Sequence, residues 1–561
     1  VKLAKILGGL TLAMLSSTST FASGRDLTYD GGATLLTGSA FDGASLASSA
    51  PAPALNGAVG SAIIKSFAGV SQYDVASVKR NFIPPDTMGA VGTTQYVSIV
   101  NGGVGIYSKM DGSRQSFVSD TAFWEAAGQV GTNGDPRIAY NATAGRWIAS
   151  TFGANTSDIQ IAVSNTSDAG GTWQSVKFTA YAGAGFGGAI ADYTTLALDR
   201  NAVYLGSNDY ARGSAAANAP IAFQGTTLSV VPLASVFGAG APTVAGLKQF
   251  FTPYDPTSSI NDFTRGFAIQ GVNSNANTTT GAVVSASIND AALTSYQILN
   301  AGTAGATLTA GDHLIGATYD GNNPGRQPSG FDRKPSQVID TSDDRVGASV
   351  YEANGRIYSV HTVTEPGSNF TEIRYDVIDA VTGAVLDEGN IGNGGSDYYY
   401  GSIAVNATGQ VVIGYDRSGY GHDGNITFAA RTFDTSTTGT LLQTSGELVI
   451  KVSSINDYHN GSTEFVAPAG RQRFGDYSSV TVDPNDPSKF WATNQIALEY
   501  NTAANGHPGG SGASRWGTWI AEIQADAVPE PATWAMMIAG FGMVGAVGRR
   551  RRVRGNADLA V

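Results

Sequence analysis

The chain has 561 residues, 72 of them glycine, with 14% charged residues, no cysteine and a formal net charge of −12. This profile favours many short strands and tight turns over amphipathic helices, and the length admits one large closed domain. The missing cysteines exclude disulfides and thiolate metal sites, and the acidic balance argues against a nucleic-acid partner, because phosphate neutralisation needs Lys and Arg.

Lys2 and Lys5 precede an apolar run from Ile6 to Leu15, and Thr20-Phe21-Ala22 supplies a small-x-small cleavage site. These regions, in that order, predict a secretory signal peptide over residues 1–23. Residues 24–80 are rich in Ala, Ser and Gly and read as an exposed linker. One island, residues 61–67, alternates well enough to be a strand.

A repeating pattern of short strands fills residues 81–526. The stretch from Gly134 to Phe178 shows it most fully: Asp135-Pro-Arg137-Ile-Ala-Tyr-Asn, a turn at 142–145, Arg-Trp-Ile-Ala-Ser-Thr-Phe, then Asp158-Ile-Gln-Ile-Ala-Val-Ser and a further strand. Runs of β-branched, aromatic and small residues punctuated by Gly, Asn and Asp suit four antiparallel strands joined by tight turns. Asp192-Tyr-Thr-Thr-Leu-Ala-Leu-Asp199, Tyr399-Tyr-Gly-Ser-Ile-Ala-Val-Asn406 and Asp476-Tyr-Ser-Ser-Val-Thr-Val-Asp483 share one spacing. Each is followed by a short turn and a second apolar strand. Unit starts near residues 86, 135, 192, 265, 345, 399 and 474 predict an all-β propeller of seven blades. The weak fourth unit leaves six open. Residues 311–344, with Pro324, Pro328, Pro335 and several charges, read as a long surface excursion. The last unit offers only three strands, so the island at 61–67 is expected to pair with residues 516–523 and complete it.

Thr166-Ser-Asp168-Ala-Gly170-Gly-Thr172-Trp173 resembles the Asp box of sialidase-like propellers. There Asp holds turn amides, Gly supplies positive φ and Trp packs between blades, so the resemblance implies a structural role for Thr166, Asp168, Gly170, Thr172 and Trp173. Arg137 is similar to the first arginine of the sialidase family, but Ala139 stands where that family has Pro, and no Tyr and Glu nucleophile pair can be placed. Arg473-Phe-Gly-Asp-Tyr-Ser-Ser, followed later by Trp516-Gly-Thr-Trp, resembles a motif of secreted bacterial propellers and implies a fold without an activity.

The five histidines show no metal-ligand spacing, and no Gly-x-Ser-x-Gly elbow or phosphate-binding glycine loop occurs. No cofactor is expected. Asp416, Asp423, Asp483 and Asp486, read as turn residues, leave structural calcium open, but their spacing is not that of an EF-hand and solvated turn caps are the commoner outcome. Propeller ligand sites form where the innermost strands begin. By register Asp86, Asp135, Arg137, Asp192, Tyr193, Arg345, Tyr399, Arg473, Asp476 and Tyr477 lie there. They would either line a glycan site or hydrogen-bond blade to blade.

The C-terminus carries Val528-Pro529-Glu530-Pro531, an apolar run from Ala532 to Gly548 that reads as a hydrophobic helix, and then Arg549, Arg550, Arg551 and Arg552. This order resembles the PEP-CTERM sorting signal of Gram-negative bacteria. The resemblance implies an exosortase-type partner, transient inner-membrane anchoring and a destination at the cell surface or in an exopolysaccharide matrix. The starting 33 basic and 45 acidic residues lose Lys2 and Lys5 with the leader, and five arginines and Asp558 with the tail, leaving 26 against 44. Such a body repels anionic sugars unless a local patch intervenes. The function expected is that of a non-enzymatic, glycan-contacting surface protein. The rival is a glycan-active hydrolase or lyase.

Overall fold

A computed structural model describes residues 60–80, 82–129, 133–153, 157–180, 189–211, 222–253, 268–286, 292–309, 312–315, 319–328, 338–420, 424–456, 458–459, 472–500 and 513–525. Among them the fold is all-β, with three short helices, Gln72–Ser77, Asp120–Ala126 and Leu233–Phe237. The predicted signal peptide, most of the linker and the sorting tail lie outside the described residues. No helix among the described residues is long and apolar enough to cross a membrane.

The strands form six hydrogen-bonded sheets. The first is a meander of Met88–Val91, Gln95–Val100, Gly103–Ser108 and Arg114–Ser119. The second repeats that order with Asn133–Asn141, Arg146–Gly153, Asp158–Ser164 and Trp173–Thr179. In the third, Ala189–Asp192 and Ala197–Leu198 share the partner Ala202–Ala211, followed by Ala222–Pro232 and Lys248–Pro253.

The fourth sheet joins two meanders. Gln270–Ser274, Gly281–Ala286 and Ala292–Leu299 begin one, and Val350–Ala353, Arg356–Thr364, Thr371–Asp379 and Val385–Ile391 make the other. Their first strands pair in parallel, Val272 opposite Val350. The fifth sheet runs Ser396–Val405, Gln410–Gly419, Thr427–Thr435, with Leu441–Gln443 and Leu448–Val452 on its edge.

The sixth sheet unites the two ends of the folded body. Ser479–Val482, Lys489–Tyr500 and Ser514–Gln524 are followed in space by Ala62–Ser71. Ile63 faces Ile523 and Phe67 faces Ile520, the pairing expected from the missing fourth strand. Gly69 is required by close approach, since a Cβ there would lie 2.3 Å from Thr518 Oγ1.

The sheets stack face to face, which is why strands such as Gln95–Val100 are buried along their whole length. Each interface has its own apolar layer. Ile148, Ile161, Val203 and Leu205 fill the one between the second and third sheets. Val412, Phe428, Phe490 and Ile523 fill the one between the fifth and sixth. Phe67, Tyr96, Tyr107 and Trp491 close the sixth onto the first.

One expectation is overturned. The described residues of 311–344 are not a surface excursion: Gln327, Val338, Ile339 and Thr341 are buried. Their polar and proline-rich composition suggested solvent, but the charges are paired inside, with Arg326 held to Asp397 at 2.9 Å and Ile339 bridged to Gln472.

Candidate functional site

Six residues other than glycine, within or shortly before the first strands of the meanders, adopt the left-handed region. They are Asp86 at φ 48°, Asp135 at 50°, Tyr193 at 55°, Ala268 at 50°, Ser342 at 62° and Tyr400 at 51°. For an L-residue this backbone costs about 1–2 kcal/mol. Hydrogen bonds to the strained amides offset it. Tyr193 N donates to Asp135 Oδ2 at 3.0 Å, Ala268 N to Asn208 Oδ1 at 2.9 Å, and Asp135 N to Asn101 Oδ1 at 3.1 Å.

These bonds pass from one meander to the next, and others continue the circuit. Thr194 Oγ1 donates to Asp135 O, Thr195 Oγ1 to Ile269 O and Gln270 Nε2 to Val346 O. Tyr400 Oη donates to Asp340 O, and Ser478 Oγ to Tyr400 O. Ser479 Oγ donates to Gly89 O at 2.8 Å and returns the circuit to the first sheet.

Most of the residues expected at the strand starts come together on this circuit. Arg137 is buried, donating through Nε to Thr194 O at 2.8 Å and through Nη1 to Gly347 O at 2.9 Å, and its guanidinium lies 3.7 Å from the Tyr477 ring centroid. Tyr193 meets Tyr477 edge to face at 4.8 Å and carries the Arg345 guanidinium 4.2 Å from its own ring. Arg345 is clamped by Asp343, and Arg473 donates to Asp476 Oδ2 at 2.9 Å. Asp86 accepts from Asn101 Nδ2 at 2.5 Å, and Asp192 is buried with its backbone paired to Asn208. Tyr399 stands apart: its hydroxyl donates to Ser418 Oγ at 2.8 Å, and its neighbour Tyr400 lines the space beside Tyr193 and Asp476 instead. The shared spacing aligned the two tyrosines with Asp192-Tyr193, but only the left-handed turn, invisible in sequence, decides which of them faces inward.

Burial dominates the electrostatics. Asp476 is pushed up to about 7, first by burial, against the pull of Arg473 and Arg345. Asp86 is raised well above the ordinary carboxylate range by burial and then by the Asp476 and Asp135 carboxylates. The Tyr193, Tyr400 and Tyr477 hydroxyls are raised by burial too and stay neutral. The space enclosed among Tyr193, Asp343, Arg345, His361, Tyr400 and Asp476 is about 20 Å³. That is room for one water molecule, which needs about 10–15 Å³, and far below the roughly 300 Å³ at which small-molecule sites begin. Sequence reasoning missed Tyr400, Asp340, Asp343 and His361. Asp340 and Asp343 sit in the segment read as solvent-exposed, and His361 lies in the strand Arg356–Thr364, its Nδ1 2.8 Å from Asp344 O.

Two further expectations can be placed. In the turn at 166–173, Asp168 Oδ1 accepts from Gly170 N at 2.9 Å and from Gln95 Nε2 at 2.9 Å, and Trp173 Nε1 donates to Ala169 O. The Thr172 hydroxyl takes Asn165 Nδ2 at 2.7 Å, and Thr166 Oγ1 accepts from Asp168 N. Of the aspartates considered for calcium, Asp416 is no turn residue: it is fully buried within the strand Gln410–Gly419. Asp483 caps its turn and binds Lys109 and Trp491 Nε1, Asp486 caps Ser488, and Asp423 lies outside the described residues. No group of His, Asp or Glu able to hold a metal ion occurs among the described residues.

Residues 527–552 match the PEP-CTERM protein-sorting motif. This motif is an exosortase substrate signal, and it implies export and membrane-associated sorting in Gram-negative bacteria. No curated protein matches the chain. Among solved structures, similarity is found to a protein of unknown function from Dyadobacter fermentans, at 10% identity over 83% of this chain and 100% of that one, with a TM-score of 0.38. The Dos1 propeller gives 8% identity over 78% and 77% of the two chains, with a TM-score of 0.35. An α-L-arabinofuranosidase from Fusarium graminearum gives 10% identity over 81% and 97%, with a TM-score of 0.33. Likenesses this weak carry no argument about chemistry.

Proposed function

We propose that the chain is a seven-bladed propeller, exported through a signal peptide at residues 1–23 and sorted by an exosortase, that acts at the cell surface or in an exopolysaccharide matrix as a non-enzymatic scaffold contacting glycan. The nine-stranded sheet counts as two blades, since it is two meanders meeting only through their first strands. The turn at 166–173 then acts as an Asp box, fixing one blade against its neighbour through Asp168 and Gln95.

One observation carries the scaffold reading. Arg137 and Asp135 bond across meanders, Tyr193 and Tyr477 pack ring against ring, and the space left beside Tyr193 and Asp476 holds a single water. A glycosidase needs two carboxyl groups flanking an open sugar subsite. The hydrolase reading is favoured by a different observation, the Asp476 carboxyl raised to about 7 beside Asp86, a pairing suited to proton donation. A glycan array run in parallel with hydrolysis assays on the exported protein separates the two. Binding without turnover supports the scaffold, and turnover of any arrayed glycan overturns it.

A further inference from the structure

One face of the fifth sheet packs on the strands Arg356–Thr364 and Thr371–Asp379, where Ile403 and Ile413 meet Val360, Ile373 and Val377. Tyr398 stands opposite Arg417 in the strand pairing, and Arg431 stands opposite Ile413. Because side chains alternate along a strand, Tyr398, Tyr415, Arg417 and Arg431 all share this otherwise apolar face. At one end of the cleft the packing opens into a cavity of about 420 Å³, walled by Tyr398, Arg417, Arg431 and Glu447, with Tyr420 and Asn393 at its rim.

The two arginines differ in their state. Arg417 is neutralised by Glu447, its Nε and Nη2 each 2.8 Å from Oε1, and Tyr415 Oη donates to Oε2 at 3.2 Å. Arg431 forms no ion pair among the described residues. Its Nη1 reaches Gln443 Oε1 at 3.4 Å, its guanidinium lies beside the Tyr415 hydroxyl, and its Nε is buried without a hydrogen-bond partner. A guanidinium nitrogen buried without an acceptor costs stability, and apolar filling would remove the cost. The cleft is therefore shaped for an acceptor from outside. Its volume lies in the range of small-molecule sites, roughly 300–1,000 Å³. Tyr420, 37% exposed, presents an aromatic surface at the mouth.

We infer that this cleft binds a carboxylate-bearing sugar residue. The carboxylate pairs with Arg431, Tyr420 lies against the apolar face of the sugar ring, and the Arg417–Glu447 pair donates to and accepts from its hydroxyls. The strongly acidic body repels a polyanion elsewhere, so this cleft supplies the local patch that recognition needs. The inference rests on the glycan-contacting reading for the source of its ligand, and the two fail separately.

The test titrates full-length protein, in detergent micelles, with tri-galacturonic acid and with neutral galactotriose by calorimetry. The acid binds at least tenfold tighter than the neutral sugar. Arg431→Gln abolishes that preference while leaving the melting temperature unchanged or higher, because a buried unsatisfied donor is removed. Tyr420→Ala weakens both sugars. If Arg431→Gln fails to fold, Arg431→Lys keeps the charge and is expected to retain part of the preference. Equal affinity for the two sugars, no binding to the folded wild type, or an unaltered Arg431→Gln overturns the inference. Turnover of an arrayed glycan with the Arg431-dependent preference intact would instead overturn the scaffold reading alone.

Discussion

Arg137 sits over Tyr477, its guanidinium carbon 3.7 Å from the ring centroid, although Arg137 lies in the second sheet and Tyr477 two residues before the first strand of the sixth. The same guanidinium donates to Thr194 O and Gly347 O, so one side chain ties together four segments that are remote in sequence. Replacing it leaves the buried Thr194 carbonyl and the half-buried Gly347 carbonyl without this donor. Arg137→Ala is expected to lower stability by about 3–5 kcal/mol, and Arg137→Lys by less, since one of the bonds can be remade. Equilibrium denaturation in urea measures both. A loss below about 1 kcal/mol for Arg137→Ala would show that the arginine is not a structural tie.

The joined termini make a second expectation. Phe67 is buried against Tyr107 and Trp491, with ring centroids at 5.6 and 6.3 Å. Deleting residues 24–55 should leave the melting temperature nearly unchanged, whereas deleting 24–70 removes the strand that covers Ser514–Gln524 and exposes its edge. Phe67→Ala alone should cost about 3–5 kcal/mol. Equal melting of the two truncations would contradict this closure.

Stability should fall as pH rises from about 5 to 8. Asp209, buried between the Ser207 and Thr227 hydroxyls, is pushed up to about 7 by burial, as is Asp476. An unfolded Asp titrates near 3.9, so between these values the folded chain holds more protons than the unfolded one. The stabilisation is complete below the unfolded pKa and is lost as pH passes through the folded one, by up to about 4 kcal/mol for each group. Asp209→Asn should flatten the profile. A melting temperature that rises from pH 5 to 8 would be incompatible with these raised carboxyls.

Much of this was legible in the sequence. Tight turns and alternating strands gave the all-β fold, the repeat spacing gave most of the strand starts, and the three-strand final unit pointed to the pairing of Ala62–Ser71 with Ser514–Gln524. What escaped was set by long-range pairing. Arg326 and Asp397 are 71 residues apart, and nothing local marks Gly325, Arg326 and Gln327 as buried. The polar cleft also escaped, because Arg417 and Arg431 sit in strands whose pattern shows alternation but not which face meets a neighbouring sheet. Tyr400 was passed over for Tyr399 because positive φ at a tyrosine has no sequence signature.

The sorting motif at 527–552 begins three residues after Gln524, the end of the last described strand. Intact-mass measurement of protein recovered from the native host should show the residues beyond about Pro531 removed. Recovery of a peptide containing Arg549–Arg552 from mature extracellular material would contradict that processing.

If the Asp, Arg and Tyr residues at the strand starts serve to hold sheets together, they perform no reaction. Release of reducing sugar from a panel of bacterial polysaccharides, measured for the wild type and Asp476→Asn alongside their melting at pH 8, tests it most directly. No release is expected from either protein, with Asp476→Asn folded but less stable, because the buried Arg473 guanidinium loses its carboxylate partner. Release by the wild type that Asp476→Asn abolishes, with the fold intact, would make the axial cluster an active centre and contradict the account.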